Sequence, residues 1–300
     1  MKIPTQTSAP QWASATSKER KADKPAAKTS DSAKRRTTSH SSSTQQRISH
    51  WFSSIGIEQS ALEYPAQQSQ QLAYYQSLRE QKRLANLQQI MSVALSVSTG
   101  EQAQEQIDPD WFHSFISMAE NIYSSTMQEL WGKILAVEVQ RPGSFSLRSL
   151  ETLTKLTQRD ASLFSVACQL ACRRNNDPAP IIITGFHQPP GLLNALFSSP
   201  SAQTQLGQFG LTYTDLLALG GMKLLYSTEI ETGLMEKGTS MALRFATQNV
   251  TMQVKHRNLL MTYYKFTTVG SELARLLPKQ NSQPFIEHIK TVFTPHFSVE

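Results

Sequence analysis

The chain has 300 residues, of which 39% are hydrophobic and 17% are charged. This balance predicts one large or two ordinary globular domains with a substantial hydrophobic core. No segment approaches the ~18 consecutive apolar residues of a membrane span, and the N-terminus lacks the apolar region of a signal peptide. The sequence therefore predicts a cytoplasmic protein without a membrane partner.

The net charge of +6 is distributed unevenly along the chain. Residues 1–50 contain ten Lys or Arg against three Asp or Glu, which is a net charge of +7. The remaining 250 residues contain nineteen against twenty, which is a net charge of −1. The basic character therefore belongs to the N-terminal segment, and it is no evidence that the folded part binds nucleic acid.

Residues 1–47 are rich in Ser, Thr, Lys, Ala and Gln, and almost none are apolar. Such a segment cannot bury enough surface to offset the entropy lost on ordering, so we predict a disordered basic tail. Its basic run at 34–47 could contact phosphate groups, although a solubilising tail is the commoner role of short basic runs.

Residues 48–157 predict an α-helical domain. The segment 70–97 contains no Gly or Pro, and its apolar residues recur at three- and four-residue steps. We interpret the second half of this segment as a core helix, whereas the polar first half could pair with a partner helix. The residues of the expected core stripe are Leu84, Leu87, Met91, Ala94 and Leu95.

Further helix starts in this region are indicated by capping residues. They are Asp108 before Pro109, Ser125 with Gln128, Ser146, and Thr157 with Asp160. The apolar faces of the helices that follow predict a packed core rather than a site for chemistry. The expected core residues are Trp111, Phe115, Leu130, Trp131, Ile134 and Leu135.

Residues 158–278 differ in residue pattern from the helical region before them, because they include segments typical of strands. We predict that residues 279–300 are a C-terminal extension. A β-branched run at 179–186 predicts a strand, and the segment 211–225 predicts a helix. Two alternating segments at 240–255 and 258–267 predict a β-hairpin or a small meander. The order of these elements favours a winged-helix-like domain, so the predicted fold class is α+β and mostly α.

A winged-helix domain that reads DNA needs cations and amides on its recognition helix. The candidate helix between Leu211 and Ser227 has one Lys and one Asp, and it has no Arg, Asn or Gln. The wing region offers Arg244, Lys255 and Arg257 as anion or partner contacts. These residues support only weak phosphate binding, so a protein-interaction role is favoured.

Four common motifs of catalysis and cofactor binding are absent from the sequence. The sequence lacks the phosphate-binding G-x-x-x-x-G-K-[ST], the dinucleotide G-x-G-x-x-G, the zinc-binding H-E-x-x-H and the nucleophile-elbow G-x-S-x-G. Cys168 and Cys172, four apart on a predicted helix, lack partners for a metal site and read as buried reduced thiols. Arg148 could bind an anion, but an ion pair with Glu151 or Glu138 is the ordinary expectation. We therefore predict no enzyme, no cofactor and no metal.

Three motifs between residues 107 and 164 resemble an uncharacterised bacterial family. They are D-W-x-x-x-F at 110–115, Q-E-L-W-x-x-I-L-A-x-E-V at 128–139 and P-G-S-F-S-L-R-S-L-E at 142–151. The resemblance extends more loosely over residues 70–278 and is strongest to a gammaproteobacterial subfamily. It implies a shared fold and no known activity. The helix at 128–139 is also similar to helices of proteins associated with phage abortive infection.

Three hypotheses of function follow from these observations. The first is a non-enzymatic protein-interaction or regulatory module whose partner is another protein. The second is a DNA-binding transcriptional regulator that uses the basic arm and the wing. The third is a phage-defence effector, which rests on the helix similarity alone.

Overall fold

The computed structural model describes residues 44–58, 68–98, 106–175, 177–189 and 200–299. The chain divides into two compact units, residues 1–78 and residues 79–300. Most of the predicted disordered tail, residues 1–43, lies outside the described residues. Residues 44–47 form the start of a helix, so this part of the disorder prediction is wrong.

The first unit contains helix α1 at 44–53 and the beginning of helix α2, Gln68–Val97. Three apolar side chains of α1, Ile48, Trp51 and Phe52, are exposed. Among the described residues, no helix is both long enough and apolar enough to cross a membrane.

The second unit contains the rest of α2 and seven further helices among its described residues. They are α3 Pro109–Ala119, α4 Ser125–Gln140, α5 Leu147–Lys155, α6 Gln158–Gln169, α7 Tyr213–Gly221, α8 Thr268–Leu273 and α9 Gln283–Phe293. Short 3-10 segments occupy Leu206–Phe209 and Ala274–Leu276.

Most of the predicted helix starts are confirmed. Capping depends on residues that are close in sequence, which is why the sequence can predict it. The side chains of Asp108 and Ser146 accept backbone N–H groups of α3 and α5, and Thr157 forms a reciprocal capping box with Asp160. The capping box predicted at Ser125 is wrong. Helix α4 is preceded by Ser124, which makes no side-chain cap, and Gln128 is buried elsewhere.

The second half of α2 is a core helix, but only part of the predicted stripe faces the core. Ala94 is buried and Leu87 packs against the core, together with Asn86 and Ile90, whereas the other three members of the stripe are exposed. These three residues are Leu84, Met91 and Leu95, with 58%, 55% and 69% of their surface exposed. Helix α2 therefore has two apolar faces, and only one of them contacts the core.

The described strands form two small sheets in which every pairing is antiparallel. The first sheet has the order β1-β5-β6-β8 and the second has the order β3-β2-β7-β4. The strands are β1 Arg173–Arg174, β2 Ile181–His187, β3 Ser201–Gln203, β4 Ile230–Glu231, β5 Ser240–Arg244, β6 Asn249–Val254, β7 Leu260–Lys265 and β8 Phe297–Val299.

The α+β class is confirmed, and so is the strand at 181–187. The first alternating segment, 240–255, forms a hairpin by itself from β5 and β6, and the expected pairing of this segment with 258–267 is wrong. The meander is wrong, because β7 does not continue that hairpin and pairs with β2 and β4 in the other sheet. The winged-helix arrangement is not confirmed, since β2 and the hairpin belong to different sheets.

One hydrophobic core serves the second unit. Its buried residues run from Ile90 to Phe297, and they come from both sides of the expected domain boundary at 157/158. The segment expected to be an extension, residues 279–300, contributes α9 and β8 to this core, with Phe285, Phe293 and Phe297 fully buried.

An aromatic cluster between α3 and α4 forms one end of the core. The rings of Trp111 and Phe115 are stacked 5.2 Å apart, and Phe115 is 5.1 Å from Trp131. Gly132 lets α2 approach α4 at this level, because a Cβ atom there would lie 2.6 Å from the side chain of Val93. The close approach covers Trp131, which has no exposed surface.

Candidate functional site: the turn after helix α4

The three sequence motifs meet at the turn that joins α4 to α5, residues 141–146. Gly143 has φ +81°, a left-handed conformation that glycine adopts without strain. Pro142 ends the helical path because proline has no backbone N–H to donate. The turn therefore exposes several backbone N–H groups that need acceptors, and buried side chains supply them.

Glu138, in the last turn of α4, holds the middle of this turn. Its carboxylate is only 2% exposed. One oxygen, Oε1, accepts the backbone N–H of Gly143 at 2.6 Å, and the other, Oε2, accepts that of Phe145 at 2.9 Å. Both oxygens of the carboxylate are thus used to fix the backbone of the turn.

Glu272 of α8 holds the end of the turn from another part of the chain. Its Oε2 atom accepts the backbone N–H of Ser146 at 2.7 Å and the hydroxyls of Ser146 and Ser149 at 2.9 and 2.6 Å. Glu272 is 8% exposed, and Ser149 is fully buried. This contact fixes the start of α5 against α8.

Trp111 is the third residue that holds the turn, and we call Trp111, Glu138 and Glu272 together the clamp. Its indole Nε1 donates to the carbonyl oxygen of Phe145 at 2.7 Å. A cavity of about 370 Å³ lies beside these residues and is lined by Asp108, Trp111, Glu138, Glu272 and residues of the turn.

This clamp is built for structure. Neither Glu138 nor Glu272 forms an ion pair with a cation of the described residues, yet each is supplied with strong hydrogen bonds by the turn itself. Buried carboxylates are stable when N–H and O–H donors surround them in this way. In the described part of the chain no group of three or more His, Cys, Asp or Glu is arranged to hold a metal ion.

The glutamine that opens the second motif, Gln128, also serves the core, whereas Glu129 beside it is exposed and pairs with Lys133. Gln128 Nε2 donates to Asn86 Oδ1 and to the carbonyl of Ile122, both at 2.9 Å. Asn86 Nδ2 donates in turn to the carbonyl of Glu120 at 2.8 Å. This buried amide pair ties α2 and α4 to the segment between α3 and α4.

Arg148 is exposed on α5, and the expectation that it pairs with Glu151 or Glu138 is wrong. Arg148 forms no ion pair with any described residue, and Glu138 is occupied by the turn. Its role as an anion contact stays a prediction.

Arg244 lies at the end of β5, and the structure places two further arginines beside it. Arg173 of β1 is directly opposite Arg244 in the antiparallel register. The pKa of Arg173 is lowered, first by its partial burial and then by the positive charges of Arg244 and Arg275. Arg173 and Arg275 were not expected from the sequence, because only the folded chain brings them to Arg244.

Lys255 and Arg257 lie at the other end of the first sheet, in the loop after β6. Lys255 Nζ donates to the carbonyl of Thr294 at 2.8 Å, and Arg257 is exposed. Because Arg244 pairs with the first residue of β6 and Lys255 follows the last, roughly 17 Å of strand separates them. The four predicted anion contacts therefore do not form one site.

The two cysteines are free thiols. Burial raises the pKa of each to about 12, so neither is a reactive thiolate at neutral pH. The expectation that both lie on one helix is wrong: α6 ends at Gln169, and Cys172 bridges to Ile181 beyond it.

The chain is an α+β protein, and the polar residues of its three motifs mostly form hydrogen bonds that hold helices α3 and α4 to the turn at 141–146. Residues 70–290 match the family DUF2806, described as a protein of unknown function. The match covers well over half of the chain, and the chain belongs to this family. No curated protein and no solved structure matches the chain.

Proposed function

We propose that the protein is a non-enzymatic protein-interaction or regulatory module, and that the outer face of α2 is a surface that binds another protein. The observation that carries this proposal is the exposed apolar stripe of Leu84, Met91 and Leu95. These residues follow each other at steps of seven and four, so they share one face of the helix.

The composition around this stripe supports the proposal. From Leu84 to Val97, α2 has no charged residue, although solvated helix faces normally carry charges. Leu84 and Leu95 are eleven steps apart along the helix, which is about 16 Å. Single exposed apolar residues need no explanation, but three on one face of a helix, in a segment without charged residues, are typical of a binding surface.

Site-specific photo-crosslinking in living cells tests this proposal. A photoreactive amino acid at position 91 is expected to give a discrete adduct with another protein, identified by mass spectrometry. The same amino acid at position 234 is the control, because Leu234 is equally exposed, at 58%, and lies outside α2.

Replacement of Leu84 and Leu95 by Ser should abolish the adduct at position 91. The unfolding midpoint should change little, because surface substitutions away from special contacts usually alter stability by less than about 0.5 kcal/mol. The proposal fails if position 91 gives no more adduct than position 234, or if the double substitution leaves the adduct unchanged.

A second candidate is a DNA-binding transcriptional regulator that uses the basic arm with the β5–β6 hairpin as a wing. The observation that favours it is the group of arginines beside Arg244 at the end of that hairpin. A regulator requires sequence-selective binding that survives removal of residues 1–43. Binding that depends on those residues and ignores sequence would count against this candidate.

Within the family, we propose that the three motifs around the α4–α5 turn define a gammaproteobacterial subfamily. The clamp supports this, since Trp111, Glu138 and the 142–146 turn depend on one another directly. The phage-defence hypothesis stays a prediction, because no described contact bears on it.

A further inference from the structure

The described strand residues on the outward face of the first sheet are mostly polar, and none of them is acidic. Side chains of β5 and β6 alternate between the core and this face, and the core side carries Leu243, Val250 and Met252. The outward side carries Arg173, Ser240, Ala242, Arg244, Asn249, Thr251 and Gln253. Every charged residue in this outward set is therefore an arginine.

Two arginines are paired at one corner of this face, and a third, Arg275, acts electrostatically on one of them from the segment after α8. Arg173 and Arg244 are opposite each other on adjacent strands, and directly opposed residues of an antiparallel pair have Cα atoms only about 4.5–5.5 Å apart. Arg275 follows α8 and adds a third positive charge close to Arg173. It is anchored there by donating to the carbonyl of Ser144 at 3.3 Å.

No described carboxylate neutralises this corner. None of the three arginines forms an ion pair with a described residue. Like charges directly opposite one another destabilise a sheet, so the fold carries an electrostatic cost here that a bound anion would remove. The guanidinium groups are also the donors best suited to phosphate oxygens.

We propose that Arg173, Arg244 and Arg275 form a binding site for the phosphate groups of a nucleic-acid backbone, which extends over the polar face of the first sheet. Arg244 and Arg275 are exposed, so the corner is open to a polymer. Asn249 and Thr251 lie next to the arginines on the same face and can donate to further phosphate oxygens.

The composition of the face also indicates the mode of binding. Its outward residues include no aromatic side chain on which a base could stack, as single-strand binding surfaces provide. The site therefore contacts the backbone of a duplex and is insensitive to sequence. This inference goes beyond the protein-interaction function and does not depend on the stripe of α2. It uses the same arginines as the DNA-binding candidate but assigns them to the phosphate backbone and not to sequence-selective contacts.

The test measures binding of the full-length chain to a 20-base-pair duplex as a function of salt. Each phosphate contact contributes about −0.9 to the slope of log K against log salt concentration. The double variant Arg244→Gln, Arg275→Gln should make this slope shallower by about two and weaken binding roughly 10- to 100-fold at 0.1 M salt. Arg173 is left in place because it is half-buried.

The matched control is Arg159→Gln, an exposed arginine near the start of α6 that forms no ion pair with described residues. It should lower the slope by no more than one and unfold at the wild-type temperature. The double variant should unfold at or slightly above that temperature, because Arg173 and Arg244 no longer oppose each other as like charges. Equal weakening of two duplexes of unrelated sequence is expected. A double variant whose slope equals that of Arg159→Gln would overturn the site, because residues 1–47 would then account for the binding.

Two competitors distinguish the source of the anion. Inorganic phosphate should displace the duplex only at concentrations that act through ionic strength, and a polyglutamate peptide should compete weakly. Saturable binding of inorganic phosphate that is lost in the double variant, without a change in the duplex slope, would assign the corner to a small phosphate ligand. Arginine-dependent binding of polyglutamate tighter than that of the duplex would assign it to an acidic protein segment. Either result overturns the proposal.

Discussion

Replacement of Trp131 by Ala should unfold or severely destabilise the second unit. Trp131 has no exposed surface and packs against Phe115, which in turn stacks on Trp111. A buried tryptophan removes roughly 150–250 Å² from water, which at about 25 cal/mol per Å² corresponds to about 4–6 kcal/mol. Large-to-small changes of this kind cost about 3–5 kcal/mol in measured cores.

That loss is a large share of the ~5–15 kcal/mol by which a typical domain is stable. Urea unfolding followed by circular dichroism should therefore show a free energy of unfolding lower by about 3–5 kcal/mol, or a variant that does not fold. Gly132 holds α2 against α4 at this level, so the helices cannot easily close the cavity left by the indole.

Two control variants separate the causes of the loss. Trp131→Phe should lower the free energy of unfolding much less. The indole Nε1 of Trp131 is buried and has no hydrogen-bond partner among the described residues, so its removal leaves none of their groups unsatisfied. Trp51→Ala makes the same truncation at a side chain that is 71% exposed, so the stability of the second unit should not change. A Trp131→Ala variant with wild-type stability that lacks only a binding activity would refute the structural role of α4.

Three further predictions follow from the clamp and from the buried ionisable groups. Glu138→Gln should lower the free energy of unfolding, measured by urea titration, by about 1–3 kcal/mol. Both oxygens of Glu138 accept hydrogen bonds, whereas the side-chain amide of glutamine can accept through its one oxygen only. Glu272→Gln should cost less in the same urea titration, since its contacts all go to one oxygen; equal losses would contradict this reading. The pKa of His296 is lowered from 6.5, first by burial and then by nearby positive charges. The unfolded chain therefore takes up this proton first, so stability should be full above pH 6.5 and fall below it, and His296→Gln should flatten this dependence in pH-resolved unfolding. Cys168 and Cys172 should resist iodoacetamide at pH 7.5 until the protein is unfolded, because burial raises both pKa values to about 12; rapid labelling of the native protein would contradict this.

Local features of the fold could be predicted from the sequence because their causes lie within a few residues. The caps at Asp108, Ser146 and Thr157 depend on side chains that reach backbone groups two or three residues away. The strand at 181–187 could be recognised by its β-branched run, and strands within 240–255 and 258–267 by their alternation, although alternation does not show which strands pair.

The face of α2 that packs against the core could not be predicted from local sequence patterns. Periodicity indicates that Leu84, Met91 and Leu95 share a face, but it does not say which face contacts the core. The core instead takes the face with Asn86, a polar residue whose burial is stabilised by Gln128. That hydrogen bond joins residues 42 positions apart, so no local pattern reveals it.

The remaining features of the fold and of the candidate sites depend on contacts between residues that are far apart in the sequence. Strand β7 pairs with β2, about eighty residues earlier, and not with the neighbouring β6, which is why the expected meander is absent. Glu272 and Ser146 are separated by 126 residues, and Arg173 reaches Arg244 only through the register of β1 with β5. The arginine corner therefore becomes visible as a site only when the sheet has been assembled.

The polar residues of the three motifs differ in what they leave free for a partner. Trp111 Nε1, both oxygens of Glu138 and the amide of Gln128 are bound to groups of the protein itself. A partner that used these atoms would first have to break contacts that hold the turn and the helices. Arg148 is exposed, and no described carboxylate pairs with it. We therefore expect other molecules to bind on surfaces outside the clamp. The apolar stripe of α2 and the arginine corner are such surfaces, because their exposed side chains can contact a partner without breaking the contacts of the turn.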